Sequence, residues 1–147
     1  MKPPDPDPLT DAQLAELFNT LLEAERAGVK VLTEFEKAFA GQPQAVGALV
    51  ASRHDEGRYC KLLYGYLEEL GADITRQVGS SAEKALAVEG QADKLAFRNR
   101  GQGWVAPEVA KALPRMPYAH MREGLQEMVD THRANIATCE KLIAGLH

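Results

Sequence analysis

Apolar residues recur at helical spacing through most of the chain. Leu14, Phe18, Leu21, Gly28, Leu32, Phe35 and Phe39 fall on one stripe, which predicts a long amphipathic helix. Thr10 stands ahead of it as N-cap, with Gln13 three residues on to complete a capping box. Gly41 and Pro43 predict its end near Ala40. A second stripe runs through Val46, Leu49, Arg53, Glu56, Cys60, Leu63, Leu67 and Leu70, flanked by Tyr59 and Tyr66. It predicts a helix from Pro43 to about Leu70, closed by Gly71. The short connector between the two makes them antiparallel neighbours.

Residues 72–80 show no periodicity and read as a connector, with Ser80 or Ser81 as the next N-cap. Val88, Ala92, Leu95, Asn99, Gln102, Ala106, Val109 and Leu113 mark a less regular helical region over about 82–113. Gly101, Gly103 and Pro107 predict a kink or break inside it. A connector of nine residues reaches at most about 30 Å. If 82–89 belongs to a long crossover, the third core helix instead starts near Gly90. Pro114 and Pro117 stop that region. A fourth helix follows from Tyr118 to Leu146, with Met121, Leu125, Met128, His132, Ile136, Cys139, Leu142 and Leu146 facing inward. The expected fold is all-α, an antiparallel four-helix bundle forming one domain over residues 10–147. Prolines at positions 3, 4, 6 and 8 preclude helix and ladder, so residues 1–9 are expected to be a disordered lead-in.

Three polar residues interrupt these stripes at mid-length: Glu25, Glu56 and His132. Folding the first two helices back about Gly41 puts residue 25 level with residue 57, so the two acids should approach each other. Two nearby buried carboxylates repel unless a cation or a proton lies between them. One reading is a single divalent metal ion, Fe, Mn or Zn, held by Glu25, Glu56 and His132, with Tyr59 and Asn99 behind the ligands. The other is a metal-free polar network in which His132 and Arg53 or Arg100 neutralise the acids, serving a structural or interaction module. A lone inward His is more often a satisfied core residue than a ligand.

Composition narrows the field. A net charge of −4 and a pI near 5.6 give no basic face for nucleic acid. No apolar run approaches the ~20 residues that span a bilayer, and no hydrophobic leader precedes Thr10. The expectation is therefore a cytoplasmic protein with no membrane partner, forming a homodimer through an exposed helix face. Cys60 and Cys139 read as reduced thiols acting as small core hydrophobes. Met116, Met121 and Met128 read as core filling. In His54-Asp55-Glu56 successive side chains point about 100° apart, so only one faces inward. No nucleophile elbow or phosphate loop is present, and no reaction is implied.

The segment Leu21-Leu22-Glu23-Ala24-Glu25-Arg26-Ala27-Gly28 resembles the first helix of ferritin-like and rubrerythrin-like domains, and the Glu25-to-Glu56 separation is similar to theirs. The stretches Met128 to Ile136 and Arg98 to Trp104 resemble small bacterial families of that superfamily. The resemblance implies a ferritin-like bundle, in which each half brings a Glu and a Glu-x-x-His pair to two iron or manganese ions. Here Tyr59 stands where that pattern has a His after Glu56, Val129 where it has a Glu before His132, and neutral Asn99 level with His132. Three inward ligands are too few to offset the roughly four positive charges of two metals. What the resemblance implies is thus a degenerate di-metal motif, with one divalent ion or none and a redox or stress-related duty.

Overall fold

The computed structural model describes residues 6–146. Within them lie five α-helices and no strand: α1 (Asp11–Ala38), α2 (Pro43–Glu69), the short α3 (Ser81–Leu86), α4 (Gln91–Ala112) and α5 (Ala119–Gly145). A single 3-10 turn, Leu113–Arg115, separates the last two. The all-α expectation holds. No described helix is long and apolar enough to cross a membrane.

Local chemistry accounts for the ends. Thr10 Oγ1 accepts the Gln13 amide at 3.1 Å and the Gln13 side chain accepts the Thr10 amide at 2.9 Å, the reciprocal capping box read from the sequence. Pro43 occupies the first turn of α2, where its missing N–H removes no intrahelical bond. Gly71 (φ 64°) closes α2 and Gly90 (φ 86°) separates α3 from α4; both need the left-handed backbone that glycine adopts freely. Of the proline-rich lead-in, residues 1–5 lie outside the described residues. From Pro6 the chain is non-helical, with the Leu9 amide donating to Arg115 O at 2.7 Å and Arg115 Nε donating to Asp7 O at 3.0 Å.

The break expected near Gly101 to Pro107 does not occur; α4 is continuous through all three residues. Gly101, Gly103 and Pro107 are exposed, so their poor helix propensity is outweighed by burial on the opposite face, at Leu95, Arg98, Gln102, Val105, Ala106 and Val109. The region expected as one helix is divided instead at Ala87 to Gly90. The core helix therefore starts near Gly90, and 82–89 belongs to the crossover.

Contacts fix the helix directions. Glu36 meets Arg53 and Phe18 meets Tyr66 across α1 and α2, so numbering rises on one as it falls on the other. Cys139 with Leu95 and Arg98 with Asn135 show the same for α4 and α5. Tyr66 with His120 and Asn135 with Asp55 show it for α2 and α5. It follows that α2 and α4 run parallel, and a parallel successor needs a return along the length of the molecule. Residues 70–90 make that return beside α1. Asn19 Nδ2 donates to Asp73 O at 2.9 Å, Arg26 Nη1 to Thr75 O at 2.7 Å, Gly79 N to Glu23 O at 3.0 Å and Gln91 Nε2 to Ala38 O at 3.1 Å.

The apolar interior forms two clusters. One gathers Phe18, Leu21, Tyr59, Leu63, Leu125 and Met128; the other gathers Leu32, Phe35, Phe39, Leu49, Leu95 and Cys139. Between them lie the buried polar residues Glu25, Ser52, Glu56, Arg98, Gln102 and His132. Tyr59 and Tyr66, expected to flank the α2 stripe, are buried in it, whereas Arg53 and Cys60 are only half-buried. Because α2 packs on both α1 and α5, its buried face is wider than a single stripe and turns toward the tyrosines.

Candidate metal centre

Glu25 on α1, Glu56 on α2 and His132 on α5 converge: one ligand atom from each lies within 4.8 Å of the other two. All three are almost completely buried, at 0%, 1% and 1% exposure. The expected convergence of two acids and one imidazole is what the helices produce. Phe18 faces Tyr66 and Gly28 faces Glu56, about two positions from the expected register, so the Glu56 carboxylate lies against Gly28. A Cβ on Gly28 would stand 2.6 Å from both Glu56 oxygens. Glycine at this point on α1 is therefore the space into which the acid fits.

Hydrogen bonding sets up the imidazole. His132 Nδ1 lies 2.8 Å from Met128 O, a carbonyl that can only accept, so Nδ1 carries the proton. In the neutral ring the Nε2 lone pair then faces the centre. Nε2 comes within 2.6 Å of Glu25 Oε1, yet neither atom has a partner in hydrogen-bond geometry. Glu25 Oε2 and Glu56 Oε2 are also buried without a partner. Glu25 Oε1 and His132 Nε2 thus stand at ion-pair distance without hydrogen-bond geometry, beside two carboxylate oxygens that have no partner, an arrangement that a cation among the three side chains would satisfy.

The surroundings differ from those expected. Gln102 Nε2 donates to Glu56 Oε1, taking the place assigned to Asn99. Asn99 itself turns to Arg98 and Ile136 O. The α4–α5 pairing of Leu95 with Cys139 brings residue 102, one turn beyond Asn99, level with His132. Tyr59 is buried near the ring, 5.8 Å between centroids, but its hydroxyl donates to Thr131 at 2.7 Å and not to a ligand. Arg53 pairs with Glu36 and Arg100 lies over Phe97, so neither neutralises the acids. The buried guanidinium is Arg98, bonded to Ser52 Oγ. Reading α4 at positions 95, 98, 102, 105 and 109 would have found it.

Burial, and after it the charge of Glu25, pushes the Glu56 carboxyl well above the usual range of 4.5, while Arg98 and Gln102 pull it down. Desolvation wins because the group is removed from water on all sides. The Cys60 thiol, pushed up to about 11 by burial and then by Glu25, is not a thiolate. His54 is exposed, and Asp55 is turned to Arg58 and Asn135, so Glu56 alone of that triplet faces in.

Fold and site together define an all-α protein with a buried carboxylate–histidine cluster between two apolar bodies. The chain belongs to the family described as Domain of unknown function (DUF6306), which it matches over residues 12–141. That span takes in Glu25, Glu56, Arg98, Gln102 and His132. No curated protein and no solved structure matches the chain.

Proposed function

We propose that the chain is a ferritin-like four-helix bundle holding one divalent metal ion, Fe, Mn or Zn, on Glu25, Glu56 and His132. The observation that carries this reading is the convergence of Glu25, Glu56 and His132, with Glu25 Oε2 and Glu56 Oε2 buried without a partner and His132 Nε2 against Glu25 Oε1 outside hydrogen-bond geometry. Each such group costs about 1–3 kcal/mol, and charged ones more. One cation satisfies all of them, and its two charges match the two carboxylates. Imidazole nitrogen with carboxylate oxygens suits Fe, Mn or Zn. The nearby Arg98 guanidinium makes a second metal less favourable, since it adds positive charge where two carboxylates must already suffice. Helices α2 and α4, parallel and joined by a long return, support the ferritin-like assignment.

When bound, such an ion supplies Lewis acidity and, as Fe or Mn, one-electron redox chemistry. The chain's own part is to fix the ligands. Met128 O orients the imidazole, Gln102 holds one oxygen of Glu56, and Gly28 leaves the room that carboxylate needs.

Elemental analysis of protein grown with Fe, Mn and Zn and purified without chelator tests the reading. One metal per chain is expected, lost in both Glu25→Ala and His132→Ala. Metal-free wild type, or metal content unchanged in both variants, would overturn it, and two ions per chain would overturn the single-ion form. A second reading is favoured by the raised Glu56 carboxyl and its Gln102 donor: a metal-free network with a proton on Glu56. It predicts no bound metal and variants that are only less stable.

A further inference from the structure

Glu25, Glu56 and His132 are sealed from solvent, so an ion reaches them only along a path that the protein opens. Between α1, α4 and the crossover at Gly79 and Ser80 lies a cavity of about 450 Å³. At ~30 Å³ per water it has room for an ion with its water shell. Two residues of its wall touch a ligand. Gly28 has no side chain to stand between the cavity and the Glu56 carboxylate, which lies where a Cβ would be. The Gln102 side chain lines the same wall and donates Nε2 to Glu56 Oε1. The partition between cavity and ligand is thus one side chain thick.

Charge favours an approach from this side. Glu23 lies in the cavity wall, while Arg98, also in the wall, turns its guanidinium away to Ser52, Asn99 and Asn135. Hollows between α1 and α2 carry more cationic than acidic side chains: Arg53, Arg58 and Lys61 line one, and Arg26 and Lys61 with Glu68 line another. Such walls oppose the approach of a divalent ion.

We propose that the α1–α4 cavity is the route by which the metal ion enters and leaves, and that the Gln102 side chain is its gate, an inference that rests on the single-ion reading. Swinging the amide away from Glu56 costs one hydrogen bond and opens that carboxylate to the cavity. With the gate closed, the amide holds Oε1 and leaves Oε2, which has no partner of its own, to the ion. A barrier on a path slows entry and exit alike and leaves their ratio, the affinity, unchanged, whereas damage to the site changes the ratio.

Chelated protein is reloaded with Mn²⁺, Zn²⁺ or anaerobic Fe²⁺, then challenged with excess EDTA, and bound metal is followed in both directions by elemental analysis of desalted samples. Gly101 lies in the cavity wall, and a Cβ there meets nothing within 4 Å, so Gly101→Phe fills the space without a collision at Cβ. It should slow uptake and release at least about tenfold with the final metal content unchanged. Gln102→Ala should speed both. Gly103→Phe, the same substitution at an exposed position of α4 outside that wall, should match wild type. Should one of the first two variants fail to fold, the other decides. Wild-type rates in Gly101→Phe, rates no faster than wild type in Gln102→Ala, uptake and release moving in opposite senses, or equal slowing in Gly103→Phe would overturn the proposal. Wild type that takes up no ion sinks the metal reading and the route with it; a loaded wild type whose rates ignore these substitutions sinks the route alone.

Discussion

At the scale of single residues, Gly28 and Glu56 form one device. Alanine at 28 would favour α1 by about 1 kcal/mol of helix propensity, but its Cβ would occupy the position of the Glu56 carboxylate. Gly28→Ala should therefore lose metal, measured by elemental analysis, while circular dichroism shows helicity unchanged. Glu56 also sets a pH dependence. Its carboxyl is raised in the folded protein, so between the unfolded value near 4.5 and the higher folded one the native state holds a proton that the unfolded chain has released. The stability this contributes to metal-free protein is full at the acid end and is lost as pH climbs through the folded value. Glu56→Gln should flatten that loss in urea midpoints taken after chelation, and bind no metal at any pH. Glu25, Glu56 and His132 were legible in the sequence because a charged or imidazole group inside an apolar stripe is conspicuous. The inward placement of Arg98 and Gln102 is visible in the spacing 95, 98, 102, 105 and 109, but their level relative to His132 depends on the 3-10 turn at Leu113–Arg115. The sequence shows prolines there but not how many residues the turn consumes.

At the scale of elements, two glycines on neighbouring helices should behave oppositely. A Cβ on Gly103 of α4 meets nothing within 4 Å, so Gly103→Ala should raise stability by about 1 kcal/mol. A Cβ on Gly124 of α5 would collide with the Tyr66 hydroxyl and Leu62, and that hydroxyl donates to His120 O at 3.1 Å. Gly124→Ala should lower stability by about 1–3 kcal/mol through overpacking, with the opposite shift visible in thermal melts of the pair. The Thr10 cap, Gly41, Gly71 and the proline stops mark the ends of α1, α2 and α5 in the sequence to within a few residues. The interior of α4 differs from its sequence pattern because Gly101, Gly103 and Pro107 face solvent, where poor propensity does not break a helix held by burial of its other face. The true division of the third helical region at Gly90 carried a single glycine as signal, and a lone glycine is weak evidence for a turn.

At the scale of the whole molecule, the polar layer separates the cluster around Leu63 from that around Phe35. Truncating either side chain should cost about 2–5 kcal/mol. If the layer insulates the two bodies, Leu63→Ala and Phe35→Ala should add to within about 0.5 kcal/mol in metal-free protein. Both clusters draw on α1, α2, α4 and α5, so the layer crosses every long helix, and an ion on Glu25, Glu56 and His132 would tie α1, α2 and α5 together at that level. The double-mutant cost should then depart from the sum when metal is present, so the layer would act as a switchable joint between the two ends of the molecule.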